Sequence, residues 1–336
     1  MPCVTIAIPT LLGGPTLQSC LEALCHQTFR DFEVVVVNNG NEQAIADAAP
    51  VNFQLRILSP GSNIGFGAAV NLAVRNSTGE FIASLNDDTE PDEHWLERLV
   101  AAMKFAPRVG MGASRIQLLG TSKLDSAGIL ICGDGSSKQR GQLRPSSDWT
   151  ISGDALLPSG CAGIYRRRML EEVGLFDEDF FLYCEDTDLG LRARWAGWEC
   201  RYVADAVVNH HYSRTAGALS LLKARYVERN RLWVAIKNFP CSRLLLVPVI
   251  SLFRYAWQLR AIRDNQGASA GFIRSGYSAK DVLAILWYAY RETAINLPAL
   301  LRKRALCRNR RRIRPAEFSR VLDRHGISAR DLAYSG

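Results

Sequence analysis

The sequence predicts an α/β protein, a mostly parallel sheet flanked by helices, with a C-terminal helical extension. Three observations carry this reading. Short apolar runs alternate with helical patterns through the first part of the chain, polar and acidic residues gather directly after those runs, and strand-like runs cease after about residue 213. Alternation of this kind builds a parallel sheet covered by helices on both faces, with ligands bound at the carboxyl ends of its strands.

The elements follow in order. Residues 4–9 are a β-like run, and Leu17, Leu21 and Leu24 then fall on one helix face. Residues 32–37 form a Val-rich strand buried on both faces, and residues 55–58 a third strand. Residues 67–76 have helix composition and stop before Gly79. Residues 81–85 read as a strand, 93–105 as a helix and 109–113 as a strand. Between residues 116 and 157 Gly, Ser and Asp are frequent, which predicts hairpins and loops. Regularity returns with a strand at 163–165, a helix around 166–173 and another from Glu185. Residues 199–203 and 207–209 look like two further strands. Residues 219–239 read as a helix, and 244–263 and 281–304 as amphipathic helices edged by Trp, Tyr and Arg. The expected division is residues 1–212, a ligand-binding sheet domain, and 213–336, a basic helical region.

A chain of 336 residues, 48% hydrophobic and 22% charged, has material for one large domain and an appendage. Its formal net charge is +8. Arg302, Lys303, Arg304, Arg308, Arg310, Arg311, Arg312 and Arg314 follow one another with no acid between them. Such a run suits an anionic surface, lipid headgroup or nucleic acid, or is simply a solvated face. No helix-turn-helix, zinc-finger or aromatic RNA-binding signature accompanies it, so nucleic acid is not an expected partner. The nine cysteines are scattered, with no C-x-x-C pair, which points to reduced thiols rather than a zinc site or a disulfide framework. Met1-Pro2-Cys3-Val4-Thr5 lacks a basic segment followed by an apolar one and reads as the first strand. No stretch reaches the roughly 18 apolar residues of a membrane-crossing helix. The nearest, residues 244–253, contains Pro248. The expected location is cytoplasmic, peripheral at the inner face of the cell membrane if the tail engages it.

Four constellations bear on chemistry. Asn86-Asp87-Asp88-Thr89 follows a buried strand, where two carboxylates could share a Mg²⁺ or Mn²⁺ shell with substrate phosphates. The same four residues also suit a turn before Pro91. Phe180-Phe181-Leu182-Tyr183-Cys184-Glu185-Asp186-Thr187-Asp188-Leu189-Gly190-Leu191-Arg192 runs from aromatics into acids at a helix start. A carboxylate there is stabilised by the helix dipole and can assist deprotonation of an attacking hydroxyl, although acidic first turns are common. His210-His211 ends a strand, and its neutral imidazole can either complete a metal shell or serve the core. Asn63-Ile64-Gly65-Phe66-Gly67 opens a helix whose N–H groups could face a phosphate or nucleoside.

Taken in this order, the segments resemble family 2 glycosyltransferases of the GT-A fold, most closely their bacterial rhamnosyltransferase and galactofuranosyltransferase branch. The resemblance covers residues 4–240. Thr5-Ile6-Ala7-Ile8-Pro9-Thr10 resembles the opening strand. Cys20-Leu21-Glu22-Ala23-Leu24, Gln27-Thr28 and Phe32-Glu33-Val34 resemble the first helix and second strand. Asn63 to Gly67 is similar to an N-x-G-F-x segment, and Asn86-Asp87-Asp88-Thr89 stands at the D-x-D-like metal motif. Ser159-Gly160-Cys161-Ala162 with Arg166-Arg167 resembles an acceptor-side segment. The block from Phe180 to Arg192 resembles an F-F-x-Y-x-E-D-x-D-L-x-x-R motif, and Asn230-Arg231 with Lys237-Asn238-Phe239-Pro240 a tail pattern of the branch.

The resemblance implies an inverting, metal-dependent transfer of a rhamnose-like or other hexose. The donor would be a UDP- or dTDP-sugar and the acceptor a saccharide or lipid-linked saccharide of surface polysaccharide synthesis. It implies Asp88 and His210 as ligands of Mg²⁺ or Mn²⁺ and Asp186 as general base, with Glu185 orienting the site. Pro9, Thr10, Asn38, Asn63, Gly65, Phe66 and Asp87 would line the donor side. One departure stands out: Val37-Asn38-Asn39-Gly40-Asn41 replaces the family's V-D-N-G pattern. An Asn38 carbonyl still accepts from the N3–H of uracil or thymine, its NH₂ also leaves guanine open, and the residue could equally only hold the turn.

For the tail, an anionic membrane surface and a second copy of the chain both remain open. A phosphoryl- or nucleotidyl-transferring enzyme would need a Gly-rich loop with a Lys, which is absent. The alternative function is a catalytically inactive, glycosyltransferase-like scaffold. The joint presence of Asp87, Asp88, Asp186 and His210 argues against it.

Overall fold

The computed structural model describes residues 1–40, 51–211 and 220–335. They divide into two compact units, one holding residues 1–40, 51–129 and 139–211, the other 130–138 and 220–335. The boundary expected at residues 212/213 and the start expected at residue 219 for the following helix lie outside the described residues, as does Asn41.

The first unit opens with β1 (Val4–Thr10), α1 (Gly14–Cys25), β2 (Phe32–Asn38), β3 (Gln54–Leu58), α2 (Phe66–Arg75), β4 (Phe81–Leu85), β5 (Thr89–Pro91), α3 (Trp95–Phe105) and β6 (Val109–Leu118). Short strands follow in the chain: β7 (Leu124–Ser126) and β10 (Gly153–Ala155) in this unit, and between them β8 (Ile129–Cys132) and β9 (Ser137–Gln139), which fall mostly in the second unit. Then come β11 (Ala162–Arg166), α4 (Arg167–Val173), α5 (Glu185–Trp195) and β12 (Glu199–His210). The central sheet runs in the order β10-β12-β6-β11-β4-β1-β2-β3. β12, β6, β4, β1, β2 and β3 share one direction, and β11 and β10 run against them. This is the mostly parallel sheet that the alternation predicts, with an antiparallel strand inserted at β11.

Every residue of β2 is buried, as a continuous Val run covered on both faces requires. α1 and α3 lay Leu17, Leu21, Leu24, Leu96 and Leu99 against the face of Val4, Ile6, Ile8 and Val34. α2 packs on the sheet as well, and its Gly67, Ala68, Ala69 and Ala73 are buried. Small side chains there allow close helix–sheet approach.

One expectation is corrected. The strands expected at 199–203 and 207–209 are the single strand β12, with a register shift between Val203 and Val207. The slip is a bulge, and Ser152 Oγ accepts the Ala204 N–H there at 2.9 Å. A bulge satisfied by a side chain 52 residues away has no local sequence signature. In the stretch from residue 116, where hairpins and loops are expected, β7 pairs antiparallel with β6 and extends the sheet beside it.

The second unit contains α6 (Leu221–Asn238), α7 (Cys241–Leu244), α8 (Val247–Arg263), α9 (Gly267–Arg274), α10 (Ala279–Asn309), α11 (Pro315–Arg324) and α12 (Ala329–Tyr334). A small sheet orders β13 (Gly326–Ile327), β8 and β9. Residues 130–138 belong here because Asp134, fully buried, takes Arg254 Nε at 2.6 Å and the Arg231 backbone-bound guanidinium at 3.5 Å. Arg254 also meets Glu228 Oε2 at 2.9 Å. Buried charges are tolerable only when paired in this way.

Candidate active site

Because β1, β2 and β4 are parallel, Thr10, Asn38 and Leu85 end at one edge of the sheet, the edge where such folds bind ligands. Thr10 lies opposite Asn38 in register. Asp87, two residues beyond β4, accepts from Thr10 Oγ1 through Oδ2 at 2.5 Å. Burial pushes Asp87 up to about 6; Asp88 adds to the rise and the Thr10 bond opposes it.

Asp88 turns the other way. Its Oδ1 lies 3.3 Å from His210 Nε2. The pairing of β5 with β12, Thr89 opposite His210, brings the two together. The other imidazole nitrogen, Nδ1, is 2.9 Å from Asp125 Oδ2 on β7. Burial works against both charges. The His210 contact nevertheless holds Asp88 below the ordinary carboxylate range, while the Cys161 thiol, Asp125 and Asp88 hold His210 well above the ordinary imidazole range. His211 is elsewhere engaged, with Nε2 2.8 Å from Glu90 Oε1.

This pair fits a divalent cation. Two cis ligands at about 2.1 Å from one ion stand roughly 3 Å apart, close to the observed Asp88–His210 spacing. A carboxylate on the far nitrogen, as Asp125 is here, would orient the imidazole were His210 to ligate a cation. Among the described residues no cluster of three or more His, Cys, Asp or Glu surrounds one cation position. The rest of the shell would thus fall to substrate phosphates and water, as is usual for Mg²⁺.

Asp186 sits in the first turn of α5. Its Oδ2 accepts the Gly160 N–H at 3.0 Å, and its Oδ1 accepts the Thr187 N–H at 2.6 Å and the Thr187 hydroxyl at 3.2 Å. It keeps part of its surface accessible. Burial raises its pKa above the ordinary carboxylate range, and these bonds oppose the rise. Glu185 beside it is 6% exposed, and among the described residues its Oε2 has no hydrogen-bond partner. Burial, then the Asp186 charge, pushes Glu185 up to about 8.

The turn before α5 is strained. Phe181, Tyr183 and Cys184 all have positive φ, at 63°, 69° and 66°. Non-glycine residues held there concentrate at functional sites. Phe181 O accepts the Phe66 N–H at 3.0 Å, and a Cβ at Gly65, whose φ is +85°, would stand 2.4 Å from that oxygen. The segment leading into α2 therefore docks on the aromatic turn. Asn63 Oδ1 accepts the Gly65 N–H at 2.9 Å, which closes the turn of that segment.

Gly160 joins the two ends of the site. A Cβ there would meet the Phe66 ring at 3.1 Å and Asp186 Oδ2 at 3.6 Å. The carbonyl of the next residue, Cys161, accepts from Asn86 N at 2.8 Å, one residue before Asp87.

Sequence reasoning missed two residues. Asp125 lies in the loop-rich stretch, 85 residues from His210, and no spacing announces it. Asn39, not Asn38, bridges to the α2 segment, donating to Gly65 O at 3.2 Å. Asn38 Oδ1 accepts the Gly40 N–H at 3.0 Å, a bond that shapes the turn after β2. Pro9 keeps an accessible edge beside Thr10. Arg166 and Arg167 serve the scaffold, donating to the Met103 and Gly79 carbonyls at 2.5 and 2.6 Å.

Known proteins resemble this chain in sequence and in fold. Residues 5–174 match the sequence model described as Glycosyl transferase family 2. The N-acetylglucosaminyl-diphospho-decaprenol L-rhamnosyltransferase of Mycobacterium tuberculosis is 31% identical over 233 residues, 62% of this chain and 76% of that protein. The O-antigen biosynthesis protein RfbC of Myxococcus xanthus is 27% identical over 71% of this chain and 20% of its own length. Among solved structures, GalNAc-T7 with UDP, GalNAc and Mn²⁺ aligns with a TM-score of 0.58 at 12% identity, over 89% of this chain and 58% of that one. The mannosyltransferase PcManGT of Pyrobaculum calidifontis, in complex with GDP-Man and Mn²⁺, aligns at 0.50 and 17% identity, over 91% and 86%. At these identities the two structures speak to the fold, which is GT-A.

Proposed function

Since the chain belongs to glycosyl transferase family 2, we propose that it is an inverting, divalent-metal-dependent hexosyltransferase that moves a rhamnose-like sugar from a UDP- or dTDP-linked donor to a saccharide hydroxyl. The observation that carries this reading is the tie between Asp186 and the diphosphate end of the site. Gly160 N–H holds the Asp186 carboxylate at 3.0 Å, and the adjacent Cys161 carbonyl holds Asn86, beside Asp87 and Asp88.

Thr10, Asn38 and the α2 entry segment would bind the nucleotide along the strand ends. Asp88 and His210 would hold the metal, oriented by Asp125; when bound, the metal supplies charge neutralisation to a leaving diphosphate. Asp186 would accept the proton of the acceptor hydroxyl as its oxygen bonds to the anomeric carbon. The bond from that carbon to the diphosphate oxygen breaks on the opposite face, so the configuration inverts. A base raised above the ordinary carboxylate range is better matched to that proton transfer than a free aspartate. Glu185, held protonated at neutral pH, would add no second negative charge beside it.

The name of the mycobacterial relative supports a lipid-linked diphosphosaccharide as the acceptor class. The test is transfer by the purified chain from UDP- and dTDP-sugars with Mn²⁺, with the product's anomeric configuration read by NMR. Inversion is expected. Retention of configuration would overturn the single-displacement reading, and nucleotide binding without transfer to any saccharide would favour the scaffold.

A further inference from the structure

The second unit carries a feature that the chemistry of the first does not use. On α8, Val249, Leu252, Phe253 and Leu259 are exposed, with Leu252 at 68% and Leu259 at 69%. Their spacing puts them on one stripe, and Arg260 and Arg263 continue it at the helix end. The opposite face, Val247, Ser251, Arg254 and Ala261, is the buried one.

α10 repeats the pattern over 31 residues, about 46 Å of helical path with Pro298 inside it. Leu283, Trp287, Tyr290, Leu297 and Leu301 recur at intervals of three, four or seven, and all are exposed, Trp287 to 73%. Ile285, Ala289 and Leu300 face inward. The Tyr255 hydroxyl of α8 lies 3.4 Å from the Tyr290 hydroxyl of α10, one point at which the two helices meet.

Charge identifies what this surface meets. Residues 220–335 contain 23 Lys and Arg against 7 Asp and Glu, a formal excess of 16, while the chain as a whole stands at +8. A second copy would bring like charge against like charge across an isologous interface. An anionic lipid surface is complementary to both the arginines and the apolar stripes. Among the described residues no helix is long and apolar enough to cross a membrane. Apolar stripes of this kind, with Trp, Tyr and Arg among them, suit helices lying in the headgroup plane.

We propose that the outer faces of α8 and α10 form a docking surface for an anionic lipid bilayer. The stripes enter the headgroup boundary, and Arg260, Arg263 and the arginines following α10 meet the lipid phosphates. This inference is independent of the catalytic reading.

Co-sedimentation of the full chain with two vesicle types tests it, one of phosphatidylcholine alone and one of equal parts phosphatidylcholine and phosphatidylglycerol. Partitioning is expected onto the second and not the first, and it weakens as salt is raised. Arg260→Gln with Arg263→Gln is expected to reduce it roughly 30-fold. Leu252→Ser with Phe253→Ser, and separately Trp287→Ser, are each expected to reduce it at least about tenfold. These side chains are exposed, so an unchanged thermal midpoint verifies that each variant folds. Equal partitioning onto both vesicle types, partitioning onto neither, or variants that bind as the parent does would each overturn the proposal. So would a dimer in solution that Trp287→Ser dissociates while vesicles bind nothing, which would assign the surface to a second copy.

Discussion

His210 presents Nε2 to Asp88 Oδ1 at 3.3 Å and Nδ1 to Asp125 Oδ2 at 2.9 Å, so one imidazole is clasped by two carboxylates, one from the turn before β5 and one from β7. If the Asp88 side is the metal side, the Asp125 side is its support. Asp125→Asn is expected to lower Mn²⁺ affinity about 10- to 100-fold, and His210→Ala or Asp88→Ala to lower it further. Calorimetric titration with Mn²⁺ and UDP, repeated with EDTA, reads this directly. Unchanged affinity in Asp125→Asn would remove its supporting role.

Asp186→Asn is expected to lower turnover by about 10² to 10⁴ while leaving UDP affinity intact. Glu185→Gln replaces a side chain held protonated at neutral pH, so only a modest loss is expected from it. Steady-state kinetics on both variants separates the two acids. A collapse in Glu185→Gln alongside near-normal Asp186→Asn would exchange their roles.

Glu185 also predicts a pH dependence of stability. Its folded-state pKa is raised from the ordinary 4.5 to about 8, chiefly by burial. The folded chain therefore binds the proton more tightly than the unfolded chain. The associated stability is present below pH 4.5 and is lost as pH rises toward about 8. Thermal midpoints measured across that window should fall less steeply for Glu185→Gln than for the parent. Parallel curves would show that Glu185 ionises freely.

Gly65→Ala tests the contact between the α2 entry and the aromatic turn. The φ of +85° is unfavourable to alanine, and its Cβ would stand 2.4 Å from Phe181 O. A loss of about 1–3 kcal/mol is expected from strain and overpacking, read by urea denaturation. A loss near zero would mean that the turn yields without cost.

Arg231→Met tests the buried ion network of the second unit. Arg231 is fully buried, and Glu228 and Asp134 would lose one of their two cationic partners. Removing one member of a buried pair costs about 3–5 kcal/mol. Equilibrium unfolding of the full chain measures it, and a stabilised variant would show that hydrophobic packing suffices there.

Much of this protein follows from local sequence. The Val run of β2, the Leu17–Leu21–Leu24 face of α1 and the acids after β4 are visible because periodicity and burial act over a few residues. The block from Phe180 to Arg192 is legible for the same reason, as an aromatic turn feeding an acidic helix start. What the sequence could not decide is which distant groups meet. The bulge in β12, the antiparallel insertion of β11 and the β5–β12 pairing bring His210 to Asp88 and Asp125, and Gly160 to Asp186. Those juxtapositions depend on strand order and register across the sheet. The burial that raises Glu185 and Asp186 is likewise a property of what packs around them. Local sequence determined the elements and the kinds of group at their ends; the tertiary structure decided their partners, because hydrogen bonding and desolvation act through space rather than along the chain.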